Sequence, residues 1–120
     1  IGARVMFGDF IPDTYPVLET AYAALNCSVS ESFSRTVLEA CGAGVPVIAT
    51  ASGGPQEIIQ DGVTGYIVPV GDVAATAERI LSLAANPEQA AQMGQAGAEH
   101  IRQHFSQEAI QVKLKYVLGI

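Results

Sequence analysis

Glu31 and Glu39 stand eight positions apart in the stretch ESFSRTVLEACGAG, residues 31–44. With Ser34 as N-cap, the helix that follows carries Glu39, and Val37, Leu38 and Cys41 form its apolar stripe. At about 100° per residue, Glu39 lies roughly opposite the centre of that stripe, with Arg35 on the same side one turn earlier. One reading is a solvated face with an Arg35–Glu39 pair, worth a few tenths of a kcal/mol in the poorer orientation. The other reading is chemical. In a parallel sheet, ligands bind beyond the carboxyl ends of the strands, where the next helix begins. Free N–H groups from Ser34 to Val37 would favour an anion there, such as a diphosphate. A carboxylate at Glu31 would sit beside the reacting end of the bound group. Glu39, in the second turn, is placed to accept two hydroxyl protons from a vicinal diol such as a ribose.

Such a site needs strands that end where helices start, and the chain alternates in that way. RVMF (4–7) reads as a strand ending at Gly8, and the segment 12–25 holds a helix from about Tyr15 with Pro16 in its first turn. NCSVS reads as a short strand near Cys27. The glutamate helix follows and stops at the small residues CGAG. PVIAT (46–50) is a compact buried strand bounded by Pro46 and Gly53–Gly54, PQEII a helical turn, and DGVTG a turn feeding the strand YIVPV. Beyond Asp72, an N-cap, the pattern is helical throughout. Ala77, Ile80, Leu81 and Ala84 share one face of the first of these helices. Asn86–Pro87 and Ser106 start the next two. The expectation is an α/β fold: a partial doubly wound (Rossmann-like) parallel sheet of about four strands with flanking helices, and a helical C-terminal third. The 120 residues suit one domain, spanning 1–120.

The net charge of -6 and six scattered basic residues argue against a nucleic-acid or anionic-membrane partner. No apolar run approaches the roughly 20 residues of a membrane helix, and no leader pattern opens the chain. Cys27 and Cys41 lack CxxC spacing and read as two free, buried, reduced thiols of a cytoplasmic protein. His100 and His104 have the i, i+4 spacing of a zinc pair, but Ile101 stands where a catalytic glutamate would be needed, and they read as surface or packing residues. The GAG at 42–44 follows a helix and leads into a strand, the reverse of a dinucleotide loop, and Ser34 and Ser52 lack a nucleophile-elbow context.

Several of these features occur together in one family. Glu31-x7-Glu39, the passage EA…GVPVIAT, GGPQE at 53–57 and DGVTGYIV at 61–68 resemble the C-terminal donor-binding half of retaining GT-B fold glycosyltransferases, family 4 / group 1 type. The resemblance covers nearly the whole chain. It implies transfer of a sugar from a nucleoside-diphosphate sugar to an acceptor hydroxyl with retention. Glu31 would stabilise charge near the anomeric carbon as the catalytic residue. Amides of Phe33, Ser34 and Arg35 would meet sugar hydroxyls, those of Thr36 and Val37 the diphosphate, and Glu39 the ribose. Phe10 and Ile11, in the loop GDFIP, would wall the nucleobase. No cofactor or metal is implied, because amides and basic side chains neutralise the leaving diphosphate.

The sequence also departs from the family. Ser34 stands where many relatives have glycine, and its side chain would add bulk beside the sugar. The arginine and lysine that grip the diphosphate upstream are absent, as are the acceptor-binding N-terminal domain and the first two strand–helix units of the donor half. In the strand order 3-2-1-4-5-6 the chain would start at strand 3. RVMF would then lack neighbours and turn to another partner, such as a second copy of the chain. Two functions follow from these features: a donor-binding segment inactive by itself, or a noncatalytic association module that keeps the fold without binding nucleotide; a third, a related GT-B enzyme such as a sugar-nucleotide epimerase, is disfavoured by GVPVIAT together with Glu31-x7-Glu39.

Overall fold

The computed structural model describes residues 4–119. Its centre is a parallel sheet in the order β1-β2-β3, made of β1 (Ala24–Asn26), β2 (Val47–Thr50) and β3 (Gly65–Val68). Ala24 lies opposite Val47 and Asn26 opposite Ala49, while Val47 faces Gly65 and Thr50 faces Val68. Every residue of β2 is buried, as a central parallel strand covered on both faces must be. Val47 and Ala49 pack with Val37, Ala40, Cys41, Ile58 and Ile59 on one face. Ile48 packs with Tyr66, Val68, Leu83, Ala90 and Met93 on the other.

The helices are α1 (Tyr15–Leu18), α2 (Arg35–Gly42), α3 (Gly54–Ile58), α4 (Val73–Ala85), α5 (Pro87–His104) and α6 (Gln107–Leu118). Ser34 caps α2, accepting from the Val37 amide at 3.3 Å, and Asp72 caps α4, accepting from the Ala75 amide at 2.9 Å. α5 serves both clusters, with Ala90 and Met93 in one and Ile101 against the other. Gly94 lets it approach, since a Cβ there would run into the Gly44 carbonyl oxygen.

Four expectations change. RVMF is not a strand: residues 5–8 carry no regular structure, and Met6 and Phe7 are 92% and 98% exposed. A strand needs a ladder partner for its backbone groups, and among the described residues none lies beside this run. Among the described residues the sheet therefore has three strands, not about four. Next, β1 begins and ends earlier than NCSVS suggests. The Ala24 amide already donates to the Pro46 carbonyl at 3.0 Å, whereas beyond Asn26 bonds to side chains replace the ladder. The Ser28 amide donates to Asn26 Oδ1 at 3.2 Å, and Thr50 Oγ1 donates to the Ser28 carbonyl.

Third, α4 presents Ala77, Ile80, Leu81 and Ala84 outward and buries Leu83 instead. Arg79 lies over the Tyr66 ring at 4.4 Å, and the Tyr22 hydroxyl donates to the Leu83 carbonyl at 2.8 Å. A cation over a ring and an aliphatic stem fill the contact that apolar periodicity assigns to leucine. Fourth, both thiols are free, but Cys27 is exposed and only Cys41 is buried.

Burial pushes the Cys41 thiol up from 9.0 to about 11. The unfolded chain releases this proton first, so its stabilising contribution is complete below about pH 9 and is lost as pH rises toward 11. Urea melts at pH 7.5 and 10.5 are expected to show falling stability that Cys41→Ala makes shallower. Alkylation at pH 8 should label Cys27 and spare Cys41 until unfolding; equal rates at both thiols would contradict this packing.

Candidate functional site

Beyond the carboxyl ends of β1 and β2, the segments 28–34 and 51–54 lie against each other. The Glu31 amide donates to the Ser52 carbonyl at 2.9 Å, and the Glu31 carbonyl accepts from the Gly54 amide at 2.9 Å. The two segments touch so closely that no side chain fits between them. A Cβ on Gly53, whose φ is +113°, would lie 2.7 Å from the Glu31 carbonyl oxygen. One on Gly54 would lie 2.7 Å from the Ser34 nitrogen and 2.8 Å from the Phe33 Cα. Glycine is therefore required at both positions, once for backbone conformation and twice for space. The Gly53 amide donates to Gln56 Oε1 at 3.0 Å, which fixes the start of α3. Held in this way, Glu31 has one carboxylate oxygen, Oε2, withdrawn from solvent and without a hydrogen-bond donor.

α2 starts at the same contact. Ser34 is fully buried, and its Oγ accepts from the Val37 amide and, at 3.2 Å, from Asn26 Nδ2. Asn26 Nδ2 also donates to Thr36 Oγ1 at 3.0 Å. The Ser34 side chain is thus turned into the protein as a cap and does not add bulk beside a ligand. The same bond occupies the Val37 amide, so of the two amides expected to meet a diphosphate, Val37 is already engaged. Phe33 is half-exposed, its ring 6.5 Å from that of Phe105.

Glu39 is half-buried one turn along α2. Its Oε1 lies 3.3 Å from Arg35 Nε, and its Oε2 accepts from Thr14 Oγ1 at 2.9 Å. The ion pair is therefore present, but the Arg35 side chain is 87% exposed, where such a pair contributes little. Two clefts meet at Glu39. One, of about 180 Å³, is lined by residues including Asn26, Thr36, Val37 and Glu39. The other, of about 290 Å³, is lined by residues including Pro12, Asp13, Tyr15 and Glu39.

Glu31, Phe33, Ser34, Arg35, Thr36 and Val37 thus lie where the 28–34 segment runs into α2, whereas Glu39 sits farther along the helix, beside a cleft that reaches Ala24 and Val47 at the starts of β1 and β2. Phe10 and Ile11 line neither cleft, and Phe10 is 90% exposed. Thr14 and Asn26 escaped sequence reasoning. Thr14 meets Glu39 across 25 positions, and no local pattern signals such a contact. Asn26, a polar residue inside a strand beside a helix start, was a signal available to be read. His100 and His104 lie on α5 with ring centroids 4.6 Å apart, and the His100 ring is 6.0 Å from that of Phe105.

A family model described as Glycosyl transferases group 1 matches residues 1–100. N-acetyl-alpha-D-glucosaminyl L-malate synthase of Bacillus anthracis is 36% identical over 107 residues, which are 89% of this chain and 28% of that protein. Sucrose-phosphate synthase from Thermosynechococcus elongatus aligns with a TM-score of 0.88 at 33% identity, over 98% of this chain and 30% of that one. HepE of Anabaena, solved in complex with UDP and glucose, aligns with a TM-score of 0.89 at 24% identity over 98% of this chain and 32% of that one, a likeness of fold alone. The chain spans about a third or less of each of these proteins. It belongs to the glycosyl transferases group 1, with the α/β architecture of the GT-B transferases.

The two supports of the α2 start are expected to differ in weight. Ser34→Ala removes one cap and should cost about 1 kcal/mol. Gly54→Ala sets a Cβ against backbone atoms that no rotamer change can clear, and should cost about 3 kcal/mol or more. Urea denaturation of the two variants checks this order, and the reverse order would show that the segments do not touch as described.

Proposed function

We propose that these residues form the C-terminal donor-binding subdomain of a retaining glycosyltransferase, which moves a sugar from a nucleoside diphosphate to an acceptor hydroxyl. The observation that carries the reading is Glu31 Oε2, buried without a donor beside the contact of Glu31 with Gly53–Gly54. A withdrawn carboxylate oxygen without a partner is costly, and a ligand hydroxyl or a developing positive charge would relieve it. In this reading Glu31 faces the anomeric carbon. The bond from that carbon to the diphosphate oxygen breaks, the acceptor oxygen bonds to the same face, and the acceptor proton passes to the departing phosphate. The Thr36 amide, in the first turn of α2, meets the diphosphate without a metal, and the Arg35 amide meets the sugar. Phe33 and Ser34 amides meet the sugar, and Glu39 meets the ribose.

HepE, whose fold this chain shares, is described in complex with UDP and glucose, which supports a nucleotide-sugar donor. The acceptor would be held by a separate N-terminal domain. Among the described residues no helix is long and apolar enough to cross a membrane, and a cytoplasmic setting fits a nucleotide-sugar donor. A noncatalytic association module is the second reading. It is favoured by the outward-facing Val73, Ile80 and Leu81 of α4 and by the edge of β1, which has no strand neighbour among the described residues.

Calorimetric titration with UDP, GDP and ADP separates the two readings. One nucleotide is expected to bind saturably, and Glu39→Ala to weaken it at least about tenfold. Glu31→Gln should leave nucleotide affinity within about threefold and, with the acceptor-binding domain present, lower transfer at least about 100-fold. A folded protein that binds no nucleotide would support the association module, and full transfer by Glu31→Gln would remove Glu31 from the reaction.

A further inference from the structure

We infer that Thr14 is a positioning residue that sets the Glu39 carboxylate for a ribose diol and thereby selects ribonucleotides over deoxyribonucleotides. The inference rests on the donor-binding reading above. Its own basis is the junction of the two clefts, where Thr14, Leu18 and Glu39 line both. At that point Thr14 Oγ1 donates to Glu39 Oε2 at 2.9 Å, while Arg35 Nε approaches Oε1 at 3.3 Å. The carboxylate is held by one group on each oxygen.

The two holds are unequal. Arg35 is an exposed side chain on a long, flexible stem, and such a pair fixes a geometry poorly. Thr14 is β-branched, stiff about its first torsion, and part-buried against α2. Its backbone is tied in as well, because the Thr14 carbonyl accepts from the Val17 and Leu18 amides at 3.1 and 3.0 Å. Leu18 in turn packs against the core cluster that holds α2. The hydroxyl therefore reports the position of the core to the carboxylate, and the exposed arginine does not.

A carboxylate has about four acceptor positions on its two oxygens. Thr14 takes one on Oε2 and Arg35 takes one on Oε1, so each oxygen retains a position for one hydroxyl of a vicinal diol. Two hydroxyls are met together only if the carboxylate plane is fixed. When it rotates freely, either hydroxyl alone satisfies it nearly as well. Fixing the plane therefore acts on the difference between a ribose and its deoxy counterpart, and much less on attraction for the diphosphate. A contact that only tethered residues 10–18 to α2 would change the affinity for every nucleotide alike.

The test is the affinity of the intact protein for its preferred ribonucleoside diphosphate against the 2′-deoxy and 3′-deoxy forms, measured by calorimetry. Thr14→Val keeps shape and branching but loses the donor, and Thr14→Ser keeps the donor. The ratio of ribo to deoxy affinity is expected to fall about threefold to tenfold in Thr14→Val and to stay within about twofold of the original in Thr14→Ser. Thr14→Ala repeats the measurement should valine disturb the fold. An unchanged ratio in the valine or alanine variant, or a loss that serine does not restore, would overturn the inference and leave the donor-binding reading standing. Full nucleotide affinity in Glu39→Ala would overturn both.

Discussion

Two stretches of backbone lie in contact at the end of the sheet, Glu31 to Ser34 against Gly53–Gly54, and the geometry around Glu31 follows from that contact. Paired amides and carbonyls join the stretches on either side of Glu31. The absence of a Cβ at both glycines lets them approach to a distance that any side chain would forbid. A carboxylate on a free loop would turn toward water. Here the main chain of Glu31 is bonded in both directions, so its side chain is left with an oxygen that solvent does not reach. The start of α2 is set by the same contact, since the Ser34 nitrogen is one of the atoms facing Gly54.

The polar groups around this contact are spent unevenly. Ser34, Asn26 and Thr36 form a small network that engages the Val37 amide from within the protein, which stiffens the helix start and removes that amide from any role toward a ligand. Glu39 is supported from the opposite direction by a residue on the α1 side. The site thus draws on both ends of the α1–β1–α2 unit, with β1 as the short rigid link between them.

How far the sequence could be read depended on the range of the interaction. The Ser34 and Asp72 caps, the buried PVIAT strand and the turn at DGVTG rest on neighbours within a few residues, and they lie where local chemistry puts them. RVMF has strand-forming residues but no ladder partner among the described residues, and composition alone does not supply one. The α4 face was misread because Arg79 and the Tyr22 hydroxyl take up surface that a periodicity rule reserves for aliphatic side chains. At the candidate site the α2 start with its Ser34 cap was legible. Thr14 was not, since its contact with Glu39 spans 25 positions and forms only once α1 and α2 are packed, while Asn26 was marked only by being a polar residue in a strand.

The burial of β2 on both faces has a consequence for alignment along the sheet. If β2 slipped by one residue against its neighbours, Ile48 would turn toward the space that Val47 and Ala49 fill, and the small side chains would face the larger gap beside Leu83 and Met93. Overpacking on one side and voids on the other oppose that slip. A slip by two residues restores the faces, and packing objects to it far less. It would, however, carry Gly53 about 6.6 Å along the strand axis, away from Glu31 and out of reach of the bonds that flank it. Core shape thus rejects the odd displacements and the glycine contact the even ones, so β2 works as a ruler with two scales. The glycine contact belongs to the mechanism that selects the register, in addition to being placed by it.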